Sequence, residues 1–326
     1  MEVKEGESGT DRFIPIRLTS LRVDSITDFD IFIGVGTGLN PVLYRERNLS
    51  FTEEARERLL TNGIENLLID KSQEREYRRY IEDNLSSLLA DPAVEPGAKS
   101  EMLYYSARGL MEDVMADPRS GEVIPRSRAF VDNTCDFLVN ERRAFHHLLR
   151  VTSYDYYTYT HSVNVFVFSV SLAQRAGFTD PKILKEFGEG ALLHDIGKSM
   201  IDSSIVNCRG RLDRDQWEEM KKHPGYGYDI LVEQGVTSPM VLSVVRHHHE
   251  KIRGGGYPDG LSGDEIPPLT RISTIADIFD ALTTKRSYKV ALSSFPALEM
   301  MMKEMSADLD PDFFRTFVGM MGNSGA

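Results

Sequence analysis

The chain has 326 residues, 41% of them hydrophobic and 27% charged, which describes a globular protein with material for a packed core and length for two domains. A formal charge of −12 excludes a general grip on nucleic-acid polymers, because backbone binding needs a basic face to displace counterions. Two cysteines, Cys135 and Cys208, lie far apart and at no metal-ligand spacing, so both are expected to be reduced thiols in a cytoplasmic protein.

Met1 to Arg12 is polar and acidic, unlike the basic and then apolar start of a signal peptide. Phe13 to Leu18 and Phe29 to Val35 carry the alternation and β-formers of short strands. Ser50-Phe51-Thr52-Glu53 fits a capping box with Ser50 as N-cap, opening a helix that ends at Gly63. Ile64 to Ile69 predicts another strand, and a second helix is expected over about 73–89. Residues 1–90 therefore read as a small α+β domain with a regulatory or accessory role, since they hold no histidine and no phosphate-cradling loop. The Gly34-Val35-Gly36-Thr37-Gly38 run is weak as a nucleotide loop, because no helix with Lys-Ser/Thr follows.

Asp91-Pro92 through Pro96-Gly97 punctuates the chain, and residues 91–150 read as a linker and connecting helices, broken near Pro118 to Pro125. These helices allow pairing across a homodimer or within one chain equally. From Tyr156 onward the periodicity is almost wholly helical, interrupted by loops at 177–181, 208–213 and 253–268. The expected architecture for residues 151–326 is an all-α bundle. Its most apolar stretch, Val163 to Ala173, is too short to span a bilayer, so no membrane role is expected.

Histidine placement carries the chemistry. Six of the eight histidines fall between positions 161 and 249. In Ala191-Leu192-Leu193-His194-Asp195-Ile196-Gly197-Lys198, an apolar helix delivers an imidazole and a carboxylate to a buried place, where an unpaired Asp195 would be costly without a cation beside it. Lys198, three residues on, can share its face and reach an anionic ligand of that cation. His161, His223, the run His247-His248-His249-Glu250 and Asp277 lie on or beside further helices, and a bundle can aim all of them inward. Successive helical residues point about 100° apart, so at most two of the three adjoining histidines can serve one cluster. His247 reads as the flanking one, and His146 and His147 read as structural.

Five motifs in order then resemble a known family: His194-Asp195-Ile196-Gly197-Lys198, His223-Pro224, His248-His249-Glu250, Gly256-Tyr257-Pro258 and Asp277-Ile278-Phe279-Asp280-Ala281-Leu282-Thr283. Over roughly residues 145–300 they look like the HD-GYP branch of the HD phosphohydrolases. The resemblance implies an HD-type helical domain whose metal centre opens cyclic di-GMP to pGpG, which some members cleave again to GMP. It implies metal ligation by His161, His194, Asp195, His223, His248, His249 and Asp277, with Asp195 bridging. It further implies that Lys198 contacts the scissile phosphate, that Tyr257 faces the substrate, and that Arg286 and Lys289 contact guanine and phosphate. Trinuclear members carry a glutamate where this chain has Tyr157, so two divalent ions are expected. His/Asp ligation without thiolate suits iron or manganese. Arg253 stands where the family's loop has an aspartate, and its charge is expected to favour an anionic substrate or a partner surface.

Two alternatives stay open. One is a weak or inactive member that senses cyclic di-GMP or engages a diguanylate cyclase domain. The other is a phosphohydrolase of a different nucleotide.

Overall fold

A computed structural model describes residues 12–35, 40–141, 143–151, 158–208, 210–284 and 291–322. It divides into two compact units, Met1–Gly109 and Leu110–Ala326. Among the described residues, strands occur only in the first, and every regular element of the second is a helix.

In the first unit, β1 (Phe13–Arg17), β2 (Ser25–Ile26), β3 (Ile31–Val35), β4 (Asn40–Arg45) and β5 (Ser50–Phe51) precede helix α1 (Glu53–Thr61). β6 (Asn66–Asp70) and α2 (Glu74–Ala90) follow. One antiparallel sheet has the order β1-β6-β3-β4, and β2 pairs with β5. β6 lies inside the sheet, so Leu67 and Ile69 are fully buried. Phe29 anchors the core, edge-on to Tyr77 and Tyr80 of α2.

One local expectation changes here. The N-cap of α1 is Thr52, which accepts from the Ala55 amide at 3.3 Å; Ser50 is unavailable because it pairs with Ile26 in the β2–β5 ladder. β4, which contains Pro41, is a strand that the sequence reading did not name. It sits on the sheet edge, the position where proline is tolerated in a strand. The Gly36–Gly38 part of the glycine-rich run lies outside the described residues.

Helix α3 (Pro96–Ala116) contains the division between the units. The second unit continues with α4 (Val123–Asn140), α5 (Ala144–Val151), α6 (Thr158–Arg175), α7 (Pro181–Leu193), α8 (Ser203–Val206) and α9 (Arg214–Met220). It ends with α10 (His223–Glu233), α11 (Pro239–His247), α12 (Pro268–Thr283), α13 (Ser294–Glu304) and α14 (Pro311–Gly322). Pro125 falls in the first turn of α4, a position that tolerates the missing amide.

α6 is the axis of the bundle, buried from His161 to Ala173 and packed against α7 and α12. A helix buried all round must satisfy its polar side chains internally, and His161 and Asn164 of α6 do so on Asp280 of α12, in the site described next. α7 also packs against α4 and α11, while α10 packs against a short 3-10 helix at Ile196–Met200. Asp180 caps α7 by accepting from the Lys182 amide at 2.8 Å, with Pro181 at the first helical position. No helix among the described residues is long and apolar enough to cross a membrane.

Candidate metal centre

Helix termini build the site. His194 and Asp195 follow the last turn of α7, and Lys198 lies on the 3-10 helix behind them. His223 opens α10, His248 caps the C-terminus of α11, and His249 is the next residue. His161 comes from α6, and Asp277 and Asp280 from α12. Gly197 lets these pieces meet: a Cβ there would stand 1.9 Å from the His223 carbonyl oxygen and 2.4 Å from the Gly227 amide.

Orientation of the imidazoles is set by backbone. His194, His223 and His248 each direct Nδ1 to the carbonyl oxygen three residues earlier: Ala191 at 2.8 Å, Met220 at 2.7 Å and Val245 at 2.9 Å. His161 directs Nδ1 to the Asp280 carboxylate at 2.7 Å, and the other Asp280 oxygen accepts from Asn164 at 2.7 Å. With Nδ1–H committed as a donor, the neutral ring presents a lone pair at Nε2.

These Nε2 atoms converge on Asp195. Its Oδ2 lies 3.4 Å from His194 Nε2 and 3.5 Å from His161 Nε2. Its Oδ1 lies 3.2 Å from His223 Nε2 and 4.0 Å from His248 Nε2. Asp277 spans the same gap, with Oδ1 3.2 Å from His161 Nε2 and Oδ2 3.6 Å from His249 Nδ1. Two groups of donor atoms result, His161/His194/Asp195 and His223/His248/His249, each lying within 4.8 Å of one another.

The donor set fits cations. His223 Nε2 and His248 Nε2 face each other at 3.2 Å, and His194 Nε2 and Asp195 Oδ1 are buried without a hydrogen-bond partner. Acceptor facing acceptor, away from water, is repulsive and costly unless a positive ion lies between.

Protonation agrees with this at the His223/His248/His249 group. Burial drives the His223 and His248 imidazoles toward the neutral form, and takes His249 down to about 3. Burial also opposes charge on His161, but hydrogen bonds to Asp277 and Asp280 overcome it and raise that imidazole to about 9. Burial pushes the Asp195 carboxyl up, yet Lys198 and His194 hold it well below the usual range. Burial likewise opposes the Asp277 carboxylate, and His161 and His249 pull it well below. The site keeps its carboxylates ionised and three of its imidazoles neutral.

Around the cluster, Lys198 Nζ lies 2.5 Å from Asp195 Oδ2 with its side chain 18% exposed. The Tyr257 ring tilts over His249, with centroids 4.7 Å apart, and burial pushes its phenol up so that it stays protonated. The loop carrying Tyr257 is tied down at several points. Glu250 Oε1 accepts from the Asp259 and Gly260 amides at 2.7 and 2.9 Å. Asp259 in turn pairs with Arg246 at 2.7 Å and His247 at 2.9 Å. Gly256 crosses so close to this anchor that a Cβ would lie 2.5 Å from Glu250 Cα.

The Arg253 guanidinium is 61% exposed and paired with Asp308, to which Lys251 also binds at 3.0 Å. His247 holds the loop through Asp259, away from the imidazole cluster. Arg286, Lys289 and Tyr157 lie outside the described residues.

Sequence reasoning assigned no role to Asp280, Asn164 or Glu250. Asp280 was legible in principle, since it follows Asp277 by three and Asn164 follows His161 by three, which places each pair on one helix face. Trp217, edge-on to Tyr257 with centroids 6.1 Å apart, carried no motif signal.

A family model described as "HD domain" matches residues 152–313, the span that holds every donor above. Residues 152–313 belong to the HD-domain family. The chain is 34% identical over 223 residues to a cyclic di-GMP phosphodiesterase of Pseudomonas aeruginosa, covering 68% of this chain and 53% of that protein. A 3'3'-cGAMP-specific phosphodiesterase of Vibrio cholerae is 38% identical over 160 residues, 48% of this chain and 34% of its own length. The chain thus spans about half or less of these relatives. A solved HD-GYP-type ("HDG'Y'P") protein from Bdellovibrio bacteriovorus shares the fold, with a TM-score of 0.66 over 95% of this chain and 99% of that one at 22% identity.

Proposed function

We propose that the HD domain is a metal-dependent phosphodiesterase that hydrolyses cyclic di-GMP to pGpG, and onward to GMP, at a binuclear centre. One observation carries the reading: the two oxygens of Asp195 face two separate groups of imidazoles. A carboxylate in that position would hold a cation on each side. His161 and His194 would complete one side, His223, His248 and His249 the other, with Asp277 spanning both. Mixed His/Asp ligation suits iron or manganese. Such ions, when bound, lower the pKa of a water nucleophile and neutralise charge on phosphoryl oxygens.

The chain's own residues do the rest. The imidazoles oriented by Ala191, Met220 and Val245 turn Nε2 toward Asp195, and burial keeps those of His223 and His248 neutral, with lone pairs to offer. Lys198, ion-paired but partly exposed, offers its ammonium to the scissile phosphate. Tyr257, a protonated phenol at the rim, faces the substrate and shields His249 from water. Arg286 and Lys289 would contact guanine and phosphate. Residues 151–326 form the catalytic domain in this reading, with 1–90 as the accessory domain and 91–150 as the connection. A cytoplasmic location, a homodimer and a diguanylate cyclase partner accord with it.

The likeness to a 3'3'-cGAMP-specific enzyme favours a second reading in which that dinucleotide is the substrate. Purified protein with ferrous or manganous ion, given each cyclic dinucleotide in turn, separates the two. Fastest turnover of cyclic di-GMP is expected. Faster turnover of 3'3'-cGAMP would establish the second reading, and hydrolysis of neither would leave a binding module.

A further inference from the structure

Trp217 is the only tryptophan of the chain, and 45% of its surface is exposed. A large aromatic left in water forgoes a sizeable burial gain, so its surroundings are informative. Its ring stands edge-on to Tyr257, whose own ring tilts over His249, which in turn meets His223 edge-on with centroids 5.1 Å apart. A continuous series of rings therefore runs from the buried imidazoles to the surface and ends at Trp217. The support beneath it is fixed. α9 is closed at its N-terminus by a full capping box, Asp213 accepting from the Gln216 amide at 2.9 Å and Gln216 accepting from the Asp213 amide at 3.0 Å. Tyr257 is held by the loop anchors on Glu250 and Asp259.

We propose that the exposed face of Trp217 is a stacking platform for a nucleobase of the substrate, with purines favoured by their larger face. This rests on the phosphodiesterase reading of the site. A nucleotide whose phosphate lies at the Asp195 cluster must place its base outside that buried polar pocket, and the ring series marks an aromatic path from there to solvent. Tyr257 supplies the rim, and Trp217 supplies a flat π-surface one ring further out. Stacking reads the presence of a base but not its hydrogen-bonding edge. Trp217 thus separates nucleotides from base-free phosphodiesters and leaves the choice between bases to other residues.

Because Trp217 is alone, its fluorescence reports on this face directly. Titrating the purified full chain with GMP is expected to quench the emission saturably, whereas ribose 5-phosphate leaves it unchanged. Equal responses to the two probes, or no response to GMP, overturn the proposal in the unmodified protein. In turnover with cyclic di-GMP, Trp217→Ala is expected to raise KM roughly tenfold, the size of one lost base–aromatic stack, with a smaller change in kcat and unchanged metal content. Trp217→Phe recovers most of the loss, and an Ala variant with unaltered KM refutes the platform. Failure of the unmodified chain to hydrolyse any cyclic dinucleotide would count against the phosphodiesterase reading alone, since quenching by GMP needs no turnover.

Discussion

Asp195 is buried to 1% exposure, and it is the side chain whose two oxygens are shared between the two imidazole groups. Asp195→Ala is therefore expected to release at least one equivalent of metal and nearly all turnover, while the circular dichroism of the bundle stays unchanged. Retention of both metal and rate would separate the cluster from the chemistry. Lys198→Ala leaves every imidazole in place, so turnover should fall further than metal content; normal kinetics would take Lys198 out of the site. Asp280 acts one step back, holding the ring of His161 through Nδ1. Outer partners of this kind are typically worth 10- to 100-fold in metal affinity, so Asp280→Asn is expected to weaken metal binding by about that factor in a chelator competition. An unchanged affinity would reduce Asp280 to a packing residue. The histidines and Asp277 were legible because their motifs name them. The carbonyls of Ala191, Met220 and Val245 were not, because any residue type supplies a carbonyl and only the helix ends decide which one meets a ring.

At the scale of elements, the site depends on how closely the 3-10 helix at Ile196–Met200 approaches α10. Gly197 permits it, with the His223 carbonyl where a side chain would otherwise begin. Gly197→Ala forces backbone against backbone, which cannot yield as a flexible side chain would. A destabilisation of about 1–3 kcal/mol or more is expected in denaturant unfolding, together with weaker metal binding as His223 is displaced. Wild-type stability with full metal content would show that the two elements can part without cost. Periodicity located α6, α7 and α12, whose apolar faces are long. It misplaced the cap of α1, because the pairing of Ser50 with Ile26 is a long-range contact that competes with a local signal. The edge strand β4 went unnamed; its Pro41 is unfavourable in a central strand and acceptable at an edge, and edge position is set by the sheet.

At the scale of the whole molecule, the α+β and all-α halves were readable from the switch in periodicity and from the absence of histidine before position 146. Every donor atom of the candidate centre belongs to the unit Leu110–Ala326. A ligand that binds the folded state alone stabilises it by an amount set by its concentration over Kd, about 2.7 kcal/mol at a hundredfold excess. Metal removal should therefore act on one unit. Hydrogen exchange after chelation is expected to quicken in α6, α7, α10, α11 and α12, which carry or border the ligands, while β1, β3 and β6 keep their rates. Restoring manganous ion should reverse the change. Quickening of equal size in the strands would mean that the two units unfold as one, and no quickening anywhere would mean that the lone pairs around Asp195 hold no ion.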